Sequence, residues 1–250
     1  MERTHSRHRP AAPGEPAPLL AAYDAGVVAI CQLAARFDLV SWGAQTPCPE
    51  WRACELAAHV RCVADDLHEY LDDAPVSRYA RLMATGAHPD SLARKLARQN
   101  AAELAAMPDA PPHEHIAAFA ASARRYAGRL GPVWDLPHHQ YRDTVVTVGG
   151  QAGAACAEWH LHASDLAATL GMGYRPVDPK AVLAGWLAGM PHLPLPPPHG
   201  RLAAWHGRHA DPWQAVLAAS GRGAGSGSAR PLGWRSPVRW TPRPLLRRKG

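Results

Sequence analysis

Aromatic residues are scarce in this sequence: they make up 7% of its 250 residues, and only two of them are phenylalanine. Alanine is abundant instead, and small helix-forming side chains favour closely packed helices over β-sheets. The sequence also lacks any run of 18 apolar residues, so we expect no membrane-spanning segment. Residues 1–15 are polar and proline-rich, and they lack the apolar core of a signal peptide. These absences together predict an all-α protein of the cytoplasm.

Cysteine is also sparse. The five cysteines are odd in number, form no CxxC pair, and have a spacing that fits no disulfide framework. A reducing compartment is therefore expected, which agrees with the cytoplasm.

Most of the chain lacks an excess of either charge. The formal net charge is +6, but residues 229–250 contain seven basic and no acidic side chains, and without them 20 basic and 21 acidic side chains remain. We predict that residues 223–250 form a flexible Gly/Ser linker and a disordered basic tail. Arginines that alternate with tryptophans in this tail leave nucleic-acid binding as an alternative. Because the neutral body offers no continuing basic surface, nucleic acid is not the expected partner.

Helical periodicity recurs along the chain between breaks at proline and glycine. It predicts a disordered lead at 1–15, a helical bundle at 16–172, a small helical appendage at 173–222 and the tail at 223–250. The segment from Trp134 to Gly150 is expected to be an extended connector. The expected helices cover residues 18–37, 52–71, 76–85, 90–106, 111–130, 151–171, 177–190 and 211–220.

Titratable residues crowd the segment CAEWHLHASDL, residues 156–166. On a helix, residues four apart share a face, so Glu158 and His162 lie together and Asp165 extends their stripe. Cys156 and His160 form a second pair on the opposite side. Since both pairs cannot face the same core, we expect His160 at the surface.

A histidine on an earlier helix decides which pair is functional. In ELAAHVRCVADDLHEYL, residues 55–71, His59 lies on the apolar face of the predicted helix. Together with Glu158 and His162 it gives two imidazoles and one carboxylate, a set that suits zinc with an open fourth position. The alternatives are a solvated polar face for Glu158 and His162 and a hydrogen-bonded core histidine for His59.

Two of these motifs resemble a known family. TPCPEWRACELAAHV (residues 46–60) and EWHLHASDLAATLG (158–171) resemble the mycothiol-dependent maleylpyruvate isomerase family, within the DinB/YfiT-like metal-binding bundles. DPWQAVLAASGR (211–222) is similar to an ending often seen in that family. The resemblance implies a DinB-like up-down-down-up four-helix bundle whose metal ligands are His59, Glu158 and His162. The isomerase itself carries a substantial C-terminal domain, which is short and proline-rich here.

The resemblance also implies a chemistry. Mycothiol would be the thiol cosubstrate of a divalent-metal enzyme, most simply a zinc enzyme of the isomerase or S-transferase type, and a small-molecule electrophile would be its substrate. A free thiol is mostly protonated at neutral pH, and coordination to zinc stabilises its nucleophilic thiolate. The alternative is a non-catalytic bundle whose metal is structural or sensory, with a fourth ligand such as Cys62 closing the shell. The oligomeric state stays open.

Three further residues are candidates for lining the site. Asp165 is expected either to orient a ligand histidine through its free ring N–H or to make a local hydrogen bond on the helix surface. Cys48 either lines the site or fixes the loop as a small buried residue. Trp51 either packs this loop on the bundle or stacks on substrate. Among the other histidines, His68 is expected at the surface, and His113, His115, His138 and His139 are expected in or near loops. The other cysteines are expected to be buried (Cys31, Cys54, Cys62 and Cys156).

Overall fold

A computed structural model describes residues 16–48, 51–193 and 211–222 of the chain. This part of the chain forms eight α-helices and one small two-stranded sheet, which confirms the predicted all-α class. The predicted lead at 1–15 and tail at 223–250 lie outside the described residues. The elements are α1 (Pro16–Ala34), α2 (Ala53–Asp72), α3 (Arg78–Ala84), α4 (Pro89–Ala106), α5 (Pro112–Arg129), β1 (Pro137–Tyr141), β2 (Thr144–Thr147), α6 (Val148–Thr169), α7 (Pro179–Gly189) and α8 (Pro212–Ala219).

The helices begin where the sequence supplies caps and prolines, so their ends agree with the predicted ones to within three residues. The Asp178 carboxylate accepts hydrogen bonds from two backbone N–H groups at the start of α7, at 3.0 Å each. Asp211 does the same for the Trp213 N–H in α8 at 2.9 Å. In both helices proline follows at the first position, where its missing N–H costs nothing.

Four long helices form a bundle of the DinB-like kind. Helix α1 packs against α5 and α6, and α2 packs against the same two helices from the other side. Their shared core is built from fully buried side chains such as Ile30, Leu56, Phe119 and Trp159. Helices α3 and α4 stand between α2 and α5 in sequence, and α4 packs beside α2. The bundle therefore places the two motif-bearing helices, α2 and α6, next to each other.

Helix α1 is long and apolar enough to cross a membrane, the only such helix in the part of the chain that the structure describes. Its apolar side is occupied within the bundle: Tyr23, Val27 and Ile30 are at most 1% exposed. Burial of this kind is also what a core helix of a bundle shows.

The expected connector before α6 is a β-hairpin, which corrects the sequence interpretation. Strands β1 and β2 pair antiparallel and are joined by a two-residue turn at Arg142, whose φ is +51°. The register shifts between Pro137 and His139, so both His138 and His139 point into the protein. The histidine pair thus lies in a strand rather than in a loop, because the β-branched run Val145–Val148 has a partner strand.

Helix α7 packs on α6 through a contact between two glycines. A side-chain carbon added to Gly153 would lie 2.6 Å from the Cα of Gly185. Trp186 of α7 and Trp213 of α8 are buried in the same apolar core as the bundle. The predicted division of the chain at residue 172 stays a prediction, and the helices on both sides of it share this core.

Candidate metal centre

Helix α6 presents a carboxylate and an imidazole to the same point. Nε2 of His162 lies 3.2 Å from Oε2 of Glu158, one helical turn away. The His162 side chain is 4% exposed, whereas Glu158 keeps 30% of its side chain exposed, so the site is open on the Glu158 side. Burial alone would lower the pKa of His162, but the hydrogen bond to Asp165 and the adjacent Glu158 carboxylate outweigh burial and raise that pKa.

Helix α2 brings His59 to this pair. The His59 ring is 4% exposed and stands edge-on to the His162 ring, with 5.1 Å between the ring centroids. Burial and the neighbouring His162 lower the pKa of His59 to about 3, so its imidazole is neutral at physiological pH. The structure therefore brings together the three residues that the sequence nominated as metal ligands, and their metal-binding role stays a prediction.

Asp165 is buried behind His162 and is held from two sides. Its Oδ2 accepts a hydrogen bond from Nδ1 of His162 at 3.1 Å. The Arg222 guanidinium donates a hydrogen bond to each carboxylate oxygen of Asp165, from Nε to Oδ1 at 2.8 Å and from Nη2 to Oδ2 at 2.7 Å. Although burial opposes ionisation, Arg222 and His162 hold the pKa of Asp165 well below its usual value. Asp165 is thus an anion that fixes the orientation of the His162 ring.

Arg222 is the site residue that sequence reasoning did not nominate. It lies just after α8, more than fifty residues beyond Asp165, and its side chain is 21% exposed. The only signal for it was the Ser-Gly-Arg ending of the family-like segment 211–222. Helix α8 anchors this ending by burying Trp213 and Val216, at 1% and 0% exposure.

Cys48 completes the polar network beside Asp165. Its Sγ lies 3.4 Å from Oδ2 of Asp165 and accepts a hydrogen bond from Nη2 of Arg222 at 3.2 Å. Burial, partly offset by Arg222, raises the pKa of the Cys48 thiol to about 12. Cys48 is therefore a protonated thiol that donates to the Asp165 carboxylate.

Trp51 packs on the centre from the loop before α2. Its ring centroid is 4.0 Å from that of His59 and 6.0 Å from that of His162. The indole is 9% exposed. It covers one side of the two imidazoles and limits the water that can reach them.

A group of ligand atoms other than the nominated set lies close enough together to hold an ion. Cys48, His162 and Asp165 place one ligand atom each within 4.8 Å of one another, close enough to hold an ion. However, the Arg222 cation contacts both Cys48 and Asp165, and a positive charge in contact with two of three ligands disfavours a cation. Nε2 of His162, on the other side of the ring, is buried, and the Glu158 carboxylate oxygen 3.2 Å away makes no aligned hydrogen bond to it. This nitrogen lies on the side of Glu158 and His59, away from the Arg222 cation.

His160 is not a surface residue, which corrects the sequence interpretation. It is 1% exposed, donates from Nε2 to the Ala22 carbonyl at 2.9 Å and accepts from the Tyr174 hydroxyl at 2.6 Å. Cys156, on the same face, is 0% exposed. Both faces of α6 are buried because α1 and α7 cover the side opposite the candidate metal centre.

The other histidines and cysteines of the described residues lie outside the centre. His68, expected at the surface, is half-buried and lies 3.1 Å from the Ser122 carbonyl oxygen. His113 is exposed and His115 is buried, both in the first turns of α5. Cys62 and Cys156 are buried as expected, whereas Cys31 and Cys54 are only half-buried, and all five cysteines are free.

Comparison with known proteins identifies the family of the chain. A search of curated proteins and a search of solved structures each gave no match. The family model described as "Mycothiol maleylpyruvate isomerase N-terminal domain" matches residues 23–167, which is more than half of the chain and includes both α2 and α6. The chain therefore belongs to the mycothiol maleylpyruvate isomerase N-terminal domain family.

Proposed function

We propose that the protein is a divalent-metal enzyme, with zinc as its metal, that uses a low-molecular-weight thiol against a small electrophile. The observation that carries this proposal is the buried Nε2 of His162, which faces the Glu158 carboxylate at 3.2 Å without an aligned hydrogen bond, beside the neutral His59 ring. Two imidazoles and one carboxylate leave a fourth position open, which is typical of catalytic zinc rather than structural zinc. Zinc in such a centre supplies a Lewis acid that stabilises a thiolate at neutral pH.

The protein's own groups prepare the centre for such an ion. Asp165 accepts the proton of His162 Nδ1 and so fixes the tautomer whose Nε2 lone pair faces Glu158. Arg222 balances the charge of Asp165, so that the Glu158 carboxylate supplies the negative charge on the ion's side of the His162 ring. Burial keeps His59 unprotonated and ready to coordinate. Trp51 shields the rings, while the exposed part of Glu158 marks the side from which reactants enter.

Mycothiol as the thiol rests on family membership. We propose an isomerase or S-transferase reaction in the cytoplasm, because its reducing conditions keep cysteines such as these five free. The electrophile is a small molecule whose reacting carbon lies next to the open position.

A non-catalytic bundle with a closed metal shell is the rival function. The fourth ligand considered for it, Cys62, is buried among other groups: besides burial, the charges that raise its pKa are those of Glu103, Asp66 and Asp65, none of which belongs to the centre. The open-shell enzyme is therefore favoured. Exchangeable water on the bound metal would support the enzyme, and a shell of four protein ligands would support the rival.

Metal analysis of purified variants tests the centre. We expect nearly one zinc per chain in the wild type and strong loss in His59→Ala and in Glu158→Ala, because each variant removes one of three protein ligands. His68→Ala, on the same helix as His59 but outside the centre, should keep its zinc.

A fourth variant separates the two sets of ligand atoms. Cys48→Ala should retain zinc, because the Arg222 cation occupies the Cys48 side of His162. Full retention of zinc in His59→Ala and Glu158→Ala, together with loss in Cys48→Ala, would instead assign the metal to Cys48, His162 and Asp165.

A further inference from the structure

A second group of histidines is buried near the candidate metal centre. His138, His139 and His192 are 0%, 2% and 5% exposed. Each has a buried ring nitrogen without a hydrogen-bond partner among the described residues: Nε2 of His138, Nε2 of His139 and Nδ1 of His192. Unpartnered buried polar atoms are few in folded proteins, and three in one cluster call for a ligand or water that satisfies them.

The bulged strand β1 turns two consecutive histidines inward as a hydrogen-bonded pair. Nδ1 of His138 lies 2.9 Å from Nδ1 of His139. One of these nitrogens must carry the proton and the other must accept it. A neutral imidazole carries one proton, so the donating ring has a free lone pair at Nε2 and the accepting ring has an N–H at Nε2. Whichever ring donates, the pair offers one donor and one acceptor.

The cluster carries no positive charge at neutral pH. Burial lowers the pKa of His138 to about 4, and burial with the neighbouring His138 and His192 lowers that of His139 to about 2. Burial likewise lowers the pKa of His192 to about 4, although Glu158 opposes it. The three imidazoles therefore provide no positive charge to pair with an anionic ligand.

Tyr79 connects this cluster with the candidate metal centre. Its ring stands edge-on to His139 with 5.0 Å between the ring centroids, and its side chain is partly exposed. Burial and the charge of Glu158 raise the pKa of Tyr79, so the phenol stays protonated. Glu158 also acts on the pKa of His192, so the cluster lies within reach of the Glu158 charge. The Tyr79 phenol is protonated and its side chain is partly exposed, so it can donate a hydrogen bond to a ligand.

We propose that Tyr79, backed by His138, His139 and His192, forms a subsite for an uncharged polar group, such as a carboxamide, on the ligand that approaches Glu158. A carboxamide has an acceptor for the phenol or an imidazole N–H and donors for the free imidazole lone pair. A carboxylate has no donor, would lose hydration without a cation to pair with, and would face the charge of Glu158.

The neighbouring cation does not change this preference. Arg78 precedes Tyr79 in α3, but its guanidinium is already bound by Asp66, Glu69 and Glu103. As the place where the electrophile is recognised, the subsite rests on the proposed function. Binding of the carboxamide group itself needs neither metal nor thiol.

The test uses propionamide and propionate, which have the same carbon skeleton and differ in charge and donors. Ring ¹⁵N–¹H correlation spectra of the full-length, histidine-labelled chain are recorded while each compound is titrated. Propionamide should shift the signals of His138, His139 and His192 to saturation, and propionate should bind about tenfold or more weakly. Equal affinity for both compounds, or no saturable shift with propionamide because water alone occupies the cluster, overturns the subsite.

Variants locate the binding. Tyr79→Phe should weaken propionamide binding by about threefold to tenfold, the effect of one lost hydrogen bond. Tyr126→Phe is the matched control, since it removes the same hydroxyl from a tyrosine that lies near Tyr23 and Arg129 rather than Glu158. Unchanged binding in Tyr79→Phe overturns the role of the phenol.

Zinc analysis of the same samples separates this proposal from the proposed function. If the wild type contains no zinc but still binds propionamide, the proposed metalloenzyme is contradicted and the proposed subsite is supported. If the wild type contains zinc but shows no preference for propionamide, the proposed subsite is contradicted and the proposed metal centre is supported.

Discussion

At the scale of single residues, the candidate centre depends on how one histidine ring is held. His162 uses Nδ1 to bind Asp165, and its Nε2 faces the Glu158 carboxylate, where we propose that the metal binds. The ring has only these two nitrogens, so the buried anion behind it decides which of them is available. Ligand histidines in metal proteins commonly have such a carboxylate partner.

Asp165→Asn should therefore weaken zinc binding while leaving all three nominated ligands in place. Asparagine can still accept a hydrogen bond, but it has no negative charge to hold the ring and leaves Arg222 unpaired. We expect zinc affinity to fall by about 10- to 100-fold, measured by competition with a chromophoric chelator.

Asp24→Asn is the control, since Asp24 lies on α1 and pairs with Arg124 at the surface. An Asp165→Asn variant with wild-type zinc affinity would show that the aspartate has only a structural part.

The sequence predicted some residues of the candidate centre and missed others, and the reason is physical. Helical spacing alone places Glu158, His162 and Asp165 on one face. It cannot say that the other face of α6, with His160, is buried too, because that depends on helices packed on both sides. Arg222 could not be predicted because its partner, Asp165, is 57 residues away in sequence. Helical spacing rules relate only residues within a few turns of one helix.

At the scale of elements, the helices follow from the sequence and the hairpin does not. Proline and aspartate signals mark helix starts locally, so helix ends were predictable. The strand pairing between β1 and β2 needs a bulge and a turn with positive φ at Arg142, which the sequence does not announce with the usual Asn-Gly or Asp-Gly. Helix α6 itself depends on glycines that let α7 approach.

Two glycine variants test that approach. Gly153→Ala would push a methyl group to within 2.6 Å of the Gly185 backbone, so one helix must move. We expect the free energy of unfolding to fall by about 1–3 kcal/mol in urea titrations.

Gly128→Ala provides the matched comparison in α5, where a methyl group would meet no atom within 4 Å. There the same change should stabilise the protein by about 0.5–1 kcal/mol, because alanine favours the helix over glycine. Equal effects of the two variants would mean that the α6–α7 contact is not tight.

At the scale of the whole molecule, buried neutral histidines link folding to pH. The pKa of His138, His160 and His192 is lowered to about 4 in each case, with burial as the largest cause. In the unfolded chain each would titrate near pH 6.5. Between these values the unfolded chain binds more protons than the folded one, so acid favours unfolding.

The stability of the protein should therefore be fully present above pH 6.5 and fall steadily as the pH drops to about 4. Each of these histidines contributes a slope of up to about 1.4 kcal/mol per pH unit within this window, and water that reaches the rings reduces it. Urea titrations at intervals from pH 7.5 to pH 4 measure the effect. His192→Gln should lower the slope because glutamine does not titrate, whereas His113→Gln, at an exposed position, should leave it unchanged. A free energy of unfolding that stays constant from pH 6.5 to pH 4.5 would contradict the neutral burial of these rings and, with it, the uncharged character of the Tyr79 subsite.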